Sequence, residues 1–196
     1  MAKGFFGASA ASEKDPGTVK GTSLKILKYP HPQLRAENGH ITTFGEDVEQ
    51  IAKEMLLVMY AADGIGLAAP QVGINKRLMV FNEKGDPKDS DYEMVLCNPT
   101  IMATAGEEDT KEEGCLSFPQ IYGRVTRAKW IEVEFNTLEG DKVQRTFEGM
   151  PARIFQHEYD HLDKTLFIDR LIEEDKGVNQ KRLDKLIKKY GPGGAV

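Results

Sequence analysis

The sequence predicts an α+β fold, with antiparallel β-sheets around a central helix that carries a His-Glu-x-x-His motif. Three observations favour this class. An amphipathic helical pattern comes first, a cluster of short strand-like runs follows it, and the motif lies in a second helical segment. Because the strand-like runs follow one another instead of alternating with helices, we expect them to pair antiparallel.

Composition limits the classes of protein that the chain can belong to. It has 196 residues, a mass of 21.9 kDa and a net charge of −5, which fits one domain. The acidic balance disfavours a sequence-specific nucleic-acid binder. No apolar run approaches the ~20 residues that would cross a bilayer, so no membrane partner is expected. The two cysteines, Cys97 and Cys115, exclude a disulfide scaffold and a four-cysteine metal site.

The two ends of the chain differ in composition from its middle. Residues 1–23 are small, polar and rich in glycine, and they bury too little apolar surface to offset the entropy lost on ordering. We therefore expect a flexible tail over residues 1–23 and a flexible end over residues 191–196. The folded domain is predicted over residues 24–190.

The first predicted helix covers residues 45–62, after a short strand over residues 24–27. Thr43, with Glu46 three residues later, fits a capping box at the start of the helix. Apolar residues recur at the spacing of one buried helical face. They are Val48, Ile51, Met55, Val58 or Met59, and Ala62.

Four further strands are predicted in the middle of the chain. Residues 77–81 and 93–97 are apolar runs bounded by turn residues, and residues 131–135 alternate between apolar and acidic side chains. A turn around Gly140 leads from the last of these into residues 142–147, which predicts a hairpin.

Two helices are predicted after the strands. Pro151 suits the first position of a helix over residues 151–162. The last helix, over residues 179–190, is amphipathic and ends before Gly191. Its polar face is basic, and it carries Lys181, Arg182, Lys185, Lys188 and Lys189.

The motif in the first of these helices predicts a metal site. His157 and His161 are four residues apart, which places both imidazoles on one face of a helix, within reach of one ion. Glu158 follows the first histidine and can stand beside the ion without binding it, which suits proton transfer from an activated water. Solvent-exposed His and Glu side chains are the alternative, but Ile154 and Phe155 indicate a buried helix.

Two histidines do not complete a catalytic site, which usually has three protein ligands. Glu173 and Glu174 follow the second histidine too closely for the thermolysin-like arrangement. The residue six positions after it, where metzincins have a third histidine, is Phe167. The common protease patterns therefore lack their third ligand.

A cysteine is the remaining candidate for that ligand. Cys115 follows Gly114, and a metal would lower the pKa of its thiol and hold it as a thiolate. A lone cysteine is more often a small buried apolar residue, and this is our interpretation of Cys97.

A third segment, residues 64–73, is rich in Gly and Ala. It indicates either close backbone approach or a tight turn before a strand.

Together these segments resemble the peptide deformylase family. The family motifs G-x-G-x-A-A-x-Q, E-G-C-L-S and Q-H-E-x-D-H occur here in that order, at residues 64–71, 113–117 and 156–161. The resemblance covers about residues 24–172. Within the family, the sequence is similar to the bacterial branch, which also occurs in plant organelles. The resemblance implies that residues 24–190 form the catalytic domain, and that the protein works in bacterial cytoplasm or in an organelle matrix.

The resemblance implies a metal-dependent hydrolase that removes the formyl group from the N-terminal formyl-methionine of nascent proteins and releases formate. The implied ligands of one divalent ion are Cys115, His157 and His161. Fe²⁺ is the implied native ion, with Zn²⁺, Ni²⁺ or Co²⁺ as alternatives. Glu158 would transfer the proton of the attacking water to the leaving amine. The side-chain amide of Gln71 and the backbone N–H of Leu116 would stabilise the oxyanion.

The resemblance also implies substrate contacts. The backbone of Ile65, Gly66 and Gly114 would pair with the substrate main chain. Ile65, Met150 and Ile154 would surround the methionine side chain.

Two further expectations come from the same resemblance. Glu113 and Arg127 match a structural ion pair in relatives, whereas Arg153 stands where some relatives have an apolar residue. Docking of the basic last helix to ribosomal RNA is similar to what some family members do. The alternative is a solvated basic face on a packed helix.

Two other function classes stay open at this stage. One is a metallopeptidase that cleaves ordinary peptide bonds. The other is a binding module with a structural metal, although such a closed site needs neither a general base nor an oxyanion donor.

Overall fold

The computed structural model describes residues 15–194. Residues 1–14 of the predicted tail and residues 195–196 of the predicted C-terminal end therefore lie outside the described part. Within residues 15–23, Val19 packs against the hydrophobic core and the Thr22 hydroxyl donates to the Glu54 carboxylate. The domain boundary at residue 23 stays a prediction.

The core of the fold is one antiparallel sheet. It contains β1 (Gly66–Ala68), β2 (Leu78–Asn82), β3 (Glu93–Gly114), β4 (Tyr122–Asn136) and β5 (Lys142–Glu148). Each strand pairs with the next one along the chain, so the spatial order is β1-β2-β3-β4-β5. Three irregularities interrupt the β3–β4 register, and such bulges bend a ribbon of two long strands. The predicted α+β class with antiparallel pairing is confirmed.

The strands differ from the prediction mainly in length. The strand predicted over residues 93–97 continues to Gly114, and the one predicted over residues 131–135 begins at Tyr122. The added part of β3 is largely exposed, so it lacks the apolar pattern that marks a strand in a sequence. The strand predicted over residues 24–27 is wrong, since no strand forms there. The segment over residues 64–73, for which close backbone approach and a tight turn were both open, contains β1.

The first helix, α1 (Glu46–Ala61), agrees closely with the predicted range. Val48, Met55 and Val58 lie on its buried face, together with Met59. The predicted capping box at Thr43 is wrong, because Gly45 occupies the cap position and no side chain caps the helix. Acidic residues in the first turn stabilise the positive end of the helix dipole instead.

The motif lies in α2 (Met150–Leu162), which packs against β1, β2, β4 and β5. Nine of its 13 residues are buried, so this helix is the central one that the sequence predicts. A short helix, α3 (Phe167–Arg170), follows it. The last helix, α4 (Glu173–Tyr190), begins six residues before the predicted start at Asn179. Over the described residues, the structure contains no helix of the length and apolarity that a membrane span requires.

Candidate metal centre

Three side chains from two elements meet in the interior. Cys115 directly follows the end of β3, whereas His157 and His161 lie one turn apart on α2. One ligand atom of each lies within 4.8 Å of the others, and all three side chains are buried. Cys115 Sγ is 3.4 Å from His161 Nε2. A sulfur and a nitrogen bound to one tetrahedral ion at ~2.3 and ~2.0 Å are about 3.5 Å apart, so the spacing fits a shared ion.

A buried glutamate orients the first histidine. Glu113 is 0% exposed, and its Oε2 lies 2.9 Å from His157 Nδ1. With Nδ1 held by this carboxylate, the Nε2 atom of the same ring is the one available to a metal. A carboxylate partner of this kind fixes the tautomer and strengthens the ligand.

Two arginines hold the Glu113 carboxylate from the other side. Arg127 Nε is 2.6 Å and Arg153 Nη1 is 2.7 Å from Glu113 Oε1. Burial raises the pKa of this carboxyl group, but Arg127 and His157 more than offset that effect and hold the pKa at about 2. Glu113 is therefore ionised, and the ion pair expected between Glu113 and Arg127 is present.

The same arginine extends the network to the motif helix. Arg127 Nη1 donates to Asp160 Oδ2 over 2.9 Å, and Arg170 Nη2 donates to Asp160 Oδ1 over 2.8 Å. Asp160 lies between the two motif histidines in sequence order, on α2. The network therefore joins β3, β4, α2 and α3 beside the metal-ligand group.

Glu158 occupies a buried and close-fitting position. Burial, reinforced by the charge of Glu113, raises its pKa well above the usual range of a glutamate. Within the described part of the chain, its Oε2 atom has no hydrogen-bond partner. A Cβ at Gly66 would collide with this carboxylate, so the glycine leaves the room that the side chain occupies. A carboxyl group with a raised pKa and a free oxygen suits general acid–base catalysis.

The protonation states of the ligand group favour a metal. Burial lowers the pKa of His161 well below its usual value, which keeps the ring neutral and able to bind an ion. Burial raises the pKa of the Cys115 thiol. Without an ion this thiol is protonated, and a bound cation would supply the charge that holds a thiolate there. The donor set therefore fits a divalent metal with mixed sulfur and nitrogen ligands.

Both predicted oxyanion donors lie beside this group. Gln71 Nε2 is 3.4 Å from Cys115 Sγ and 3.4 Å from Ser117 Oγ, while Gln71 Oε1 accepts the Ala68 N–H over 2.7 Å. Leu116 directly follows Cys115 at the start of a turn. The structure thus places the Gln71 amide against the Cys115 sulfur, and the Leu116 peptide follows the cysteine directly in the chain.

The predicted substrate-binding residues divide into two groups. Gly66 lies in β1 and Gly114 ends β3, where a Cβ would come within 2.8 Å of the Tyr122 ring. Ile154 is completely buried in one hydrophobic cluster, and Ile65 and Met150 are partly buried against that same cluster. The three predicted pocket residues therefore pack in or against one hydrophobic cluster.

The contacts of Arg153 and Asp160 beside the metal-ligand group were not predicted from the sequence. Arg153 does not line an apolar pocket, since it is buried and binds Glu113 and the backbone carbonyl of Asp109. One signal was available, because Arg153 precedes His157 by four residues and so shares its helical face. Asp160 had a signal as well, because it is the Asp of the Q-H-E-x-D-H motif, but its partner Arg127 lies on another element.

A sequence model of the family described as Polypeptide deformylase matches residues 23–177. The chain belongs to the polypeptide deformylase family. It is 44% identical over 169 residues to the Arabidopsis thaliana protein named Peptide deformylase 1B, chloroplastic/mitochondrial, a match that covers 86% of this chain and 62% of that protein. It is 37% identical over 164 residues to the Peptide deformylase of Thermotoga neapolitana, covering 84% of this chain and 96% of that one.

The fold agrees with solved deformylase structures. A crystal structure of a plant peptide deformylase superposes with a TM-score of 0.84 at 44% identity, covering 86% of this chain and 91% of that chain. This deformylase chain spans about three-fifths of the length of the plant relatives that it matches in sequence. The family is metal-dependent, and Cys115, His157 and His161 form the group here that could bind the ion.

Proposed function

We propose that this protein removes the N-formyl group from the N-terminal formyl-methionine of nascent proteins and releases formate. The observation that carries the proposal is the buried Glu158 carboxylate beside three metal-ligand side chains. Three protein ligands leave a tetrahedral ion one open position, which is typical of a catalytic site and not of a structural one. The family membership supports the same activity.

We propose Fe²⁺ as the native ion, with Zn²⁺, Ni²⁺ or Co²⁺ as alternatives, held by Cys115, His157 and His161. When bound, such an ion lowers the pKa of water and polarises a carbonyl oxygen as a Lewis acid. Sulfur and imidazole donors together suit these borderline ions better than Mg²⁺ or Ca²⁺, which prefer oxygen ligands.

The residues of the chain perform the proton transfers and hold the substrate. Glu158 takes a proton from the attacking water and gives a proton to the leaving amine, the two steps of general acid–base catalysis. The Gln71 amide and the Leu116 N–H donate to the oxygen that becomes negative in the tetrahedral intermediate. One such donor is typically worth about 10²–10³ in rate.

The substrate contacts extend away from the metal-ligand group. The backbone of Ile65, Gly66 and Gly114 pairs with the peptide main chain. Met150 and Ile154, with Ile65, surround the methionine side chain, which their shared hydrophobic cluster supports. An apolar pocket beside a fixed polar centre gives both orientation and selectivity for formyl-methionine.

One assay separates this function from its alternatives. The metal-loaded protein is incubated with formyl-Met-Ala-Ser and, separately, with Met-Ala-Ser, and formate and free amino acids are measured. We expect formate from the first peptide and no cleavage of the second. Cleavage of Met-Ala-Ser would identify a peptidase, and no reaction with either peptide would identify a metal-binding module.

The cellular setting follows from the same proposal. The substrate is an N-formylated nascent peptide, which exists where translation begins with formyl-methionine. We propose bacterial cytoplasm or an organelle matrix, in keeping with the chloroplastic, mitochondrial and bacterial names of the relatives.

Ribosome contact through α4 is a second proposal. Lys181, Lys185 and Lys188 are exposed on this helix, as are Arg182 and Lys189. Basic side chains clustered on one helix attract phosphate backbones in a salt-dependent way. Co-sedimentation with ribosomes tests it, comparing the full chain with a chain that lacks residues 179–196. Equal sedimentation of the two would contradict the proposal.

A further inference from the structure

One short segment contacts both loops that supply the proposed oxyanion donors. The Leu27 N–H donates to the Gln71 carbonyl over 2.7 Å. The Tyr29 N–H donates to the Ser117 carbonyl over 2.9 Å. Between them, Lys28 Nζ donates to the Leu116 carbonyl over 2.9 Å. Three consecutive residues thus join the loop of Gln71 to the loop of Leu116.

The position of Lys28 is unusual for a lysine. The residue is only 6% exposed, although lysine is among the side chains most rarely buried. Removing an ammonium group from water is costly unless the group is paired. The Leu116 carbonyl is one of the acceptors that offsets this cost. A buried lysine at this place therefore indicates that the Leu116 carbonyl needs a hydrogen-bond donor, which an apolar side chain could not supply.

The turn that carries Leu116 explains the requirement. The Phe118 N–H donates to the Cys115 carbonyl over 2.8 Å, and this carbonyl belongs to the peptide whose N–H is that of Leu116. Lys28 holds the next carbonyl, that of Leu116. The peptide that presents the donor is thus fixed on both sides. Donors fixed in advance stabilise an oxyanion without reorganisation during the reaction.

We infer that Lys28 is a positioning residue, which holds the Leu116 N–H in register with the Gln71 amide. The inference rests on the proposed deformylase function. Lys28 acts through the Leu116 peptide, whose carbonyl accepts its hydrogen bond. Its replacement should therefore change the turnover number more than the substrate affinity or the metal content.

The test compares variants of Lys28 in the metal-loaded full chain. Lys28→Met removes the charge and the donor, while the backbone donors at Leu27 and Tyr29 stay in place. A displacement of ~1 Å in a catalytic geometry can cost ~10²-fold in rate. We expect at least a tenfold fall in kcat for formyl-Met-Ala-Ser, a KM within about twofold and a metal content equal to that of the wild type.

Matched variants separate positioning from general damage. Lys28→Arg retains a cationic donor and should recover most of the kcat, and Lys28→Gln should lie between Lys28→Arg and Lys28→Met. Lys25→Met removes an exposed lysine from the same segment and should behave like the wild type. If Lys28→Met fails to fold, the kcat values of Lys28→Arg and Lys28→Gln are compared instead. Equal values in these two variants would overturn the inference.

The remaining outcomes are also distinguishable. A wild-type kcat in Lys28→Met, while the wild type releases formate, overturns the role of Lys28 and leaves the proposed function standing. A fall in kcat that matches a loss of bound metal also overturns it, because Lys28 would then act on the ion. No formate from the wild type would overturn the proposed function itself, and the inference with it. A fall in kcat in Lys25→Met as large as that in Lys28→Met would overturn the inference alone.

Discussion

The Glu113 carboxylate lies 2.9 Å from His157 Nδ1 and accepts hydrogen bonds from Arg127 and Arg153. Glu113 thus connects a metal-ligand histidine to two buried cations. Because the carboxylate is held on both sides, the imidazole cannot rotate without breaking buried hydrogen bonds. The orientation of one metal ligand is therefore set by residues on β3, on β4 and on α2 itself.

Replacing Glu113 should weaken metal binding. In Glu113→Gln the His157 ring loses its negative partner, and loss of such a partner typically costs 10–100-fold in metal affinity, about 1.4–2.7 kcal/mol. The measurement is competition for the ion with a chelator of known affinity. Glu112→Gln removes the same charge from the exposed neighbouring residue and is the control. Equal affinities in the two variants would exclude the orienting role.

The two cysteines should respond differently to substitution. Cys115→Ala removes one of three ligands, and the variant should retain far less than one ion per chain after dialysis. Cys97 lies in the core, where burial raises the pKa of its thiol to about 11, so it stays protonated at neutral pH. Cys97→Ala should retain its metal. Full metal occupancy in Cys115→Ala, measured by elemental analysis, would refute the assignment of this ligand.

Replacing Glu158 should stop turnover without releasing the ion. Glu158→Gln keeps the size of the side chain but cannot accept the proton of the attacking water. We expect kcat to fall by roughly 10²–10⁴-fold, the usual range for a general acid–base group. Elemental analysis of the same sample should still find one ion per chain. Wild-type turnover in this variant would eliminate the proposed role.

A single added methyl group should disturb the same carboxylate. The Cβ of Gly66→Ala would collide with Glu158, so the carboxylate must move and kcat should fall at least about tenfold. Gly177 is the matched control, because it lies in α4 and an added Cβ there meets no atom within 4 Å. Gly177→Ala should leave kcat unchanged and stabilise the protein by roughly 0.5–1 kcal/mol, as measured by urea unfolding. Unchanged kcat in Gly66→Ala would show that the carboxylate position is not critical.

The features predicted correctly from the sequence are those with a local pattern. The periodicity around Met55 predicts α1, and the four-residue spacing of His157 and His161 predicts that their rings share a face. The alternation around Val133 likewise marks the C-terminal part of β4. Each of these signals is contained in fewer than about 20 residues and depends on burial of one face.

The features that were missed depend on distant partners. The outer part of β3 around Thr110 is exposed on both faces, so its strand is held by backbone pairing with β4 and leaves no apolar pattern. Arg153 is buried because Glu113, 40 residues away, accepts its hydrogen bond. Lys28 is buried because it reaches a carbonyl 88 residues away. No local periodicity encodes such pairs.

The most direct test of the account is a metal titration of formate release. Metal-free protein is prepared under anaerobic conditions and receives Fe²⁺ in steps, and formate release from formyl-Met-Ala-Ser is measured at each step. We predict that activity rises from zero and reaches its plateau at one ion per chain. Formate release by the metal-free protein, or no release at a full equivalent of Fe²⁺, Zn²⁺, Ni²⁺ or Co²⁺, would contradict the central claim.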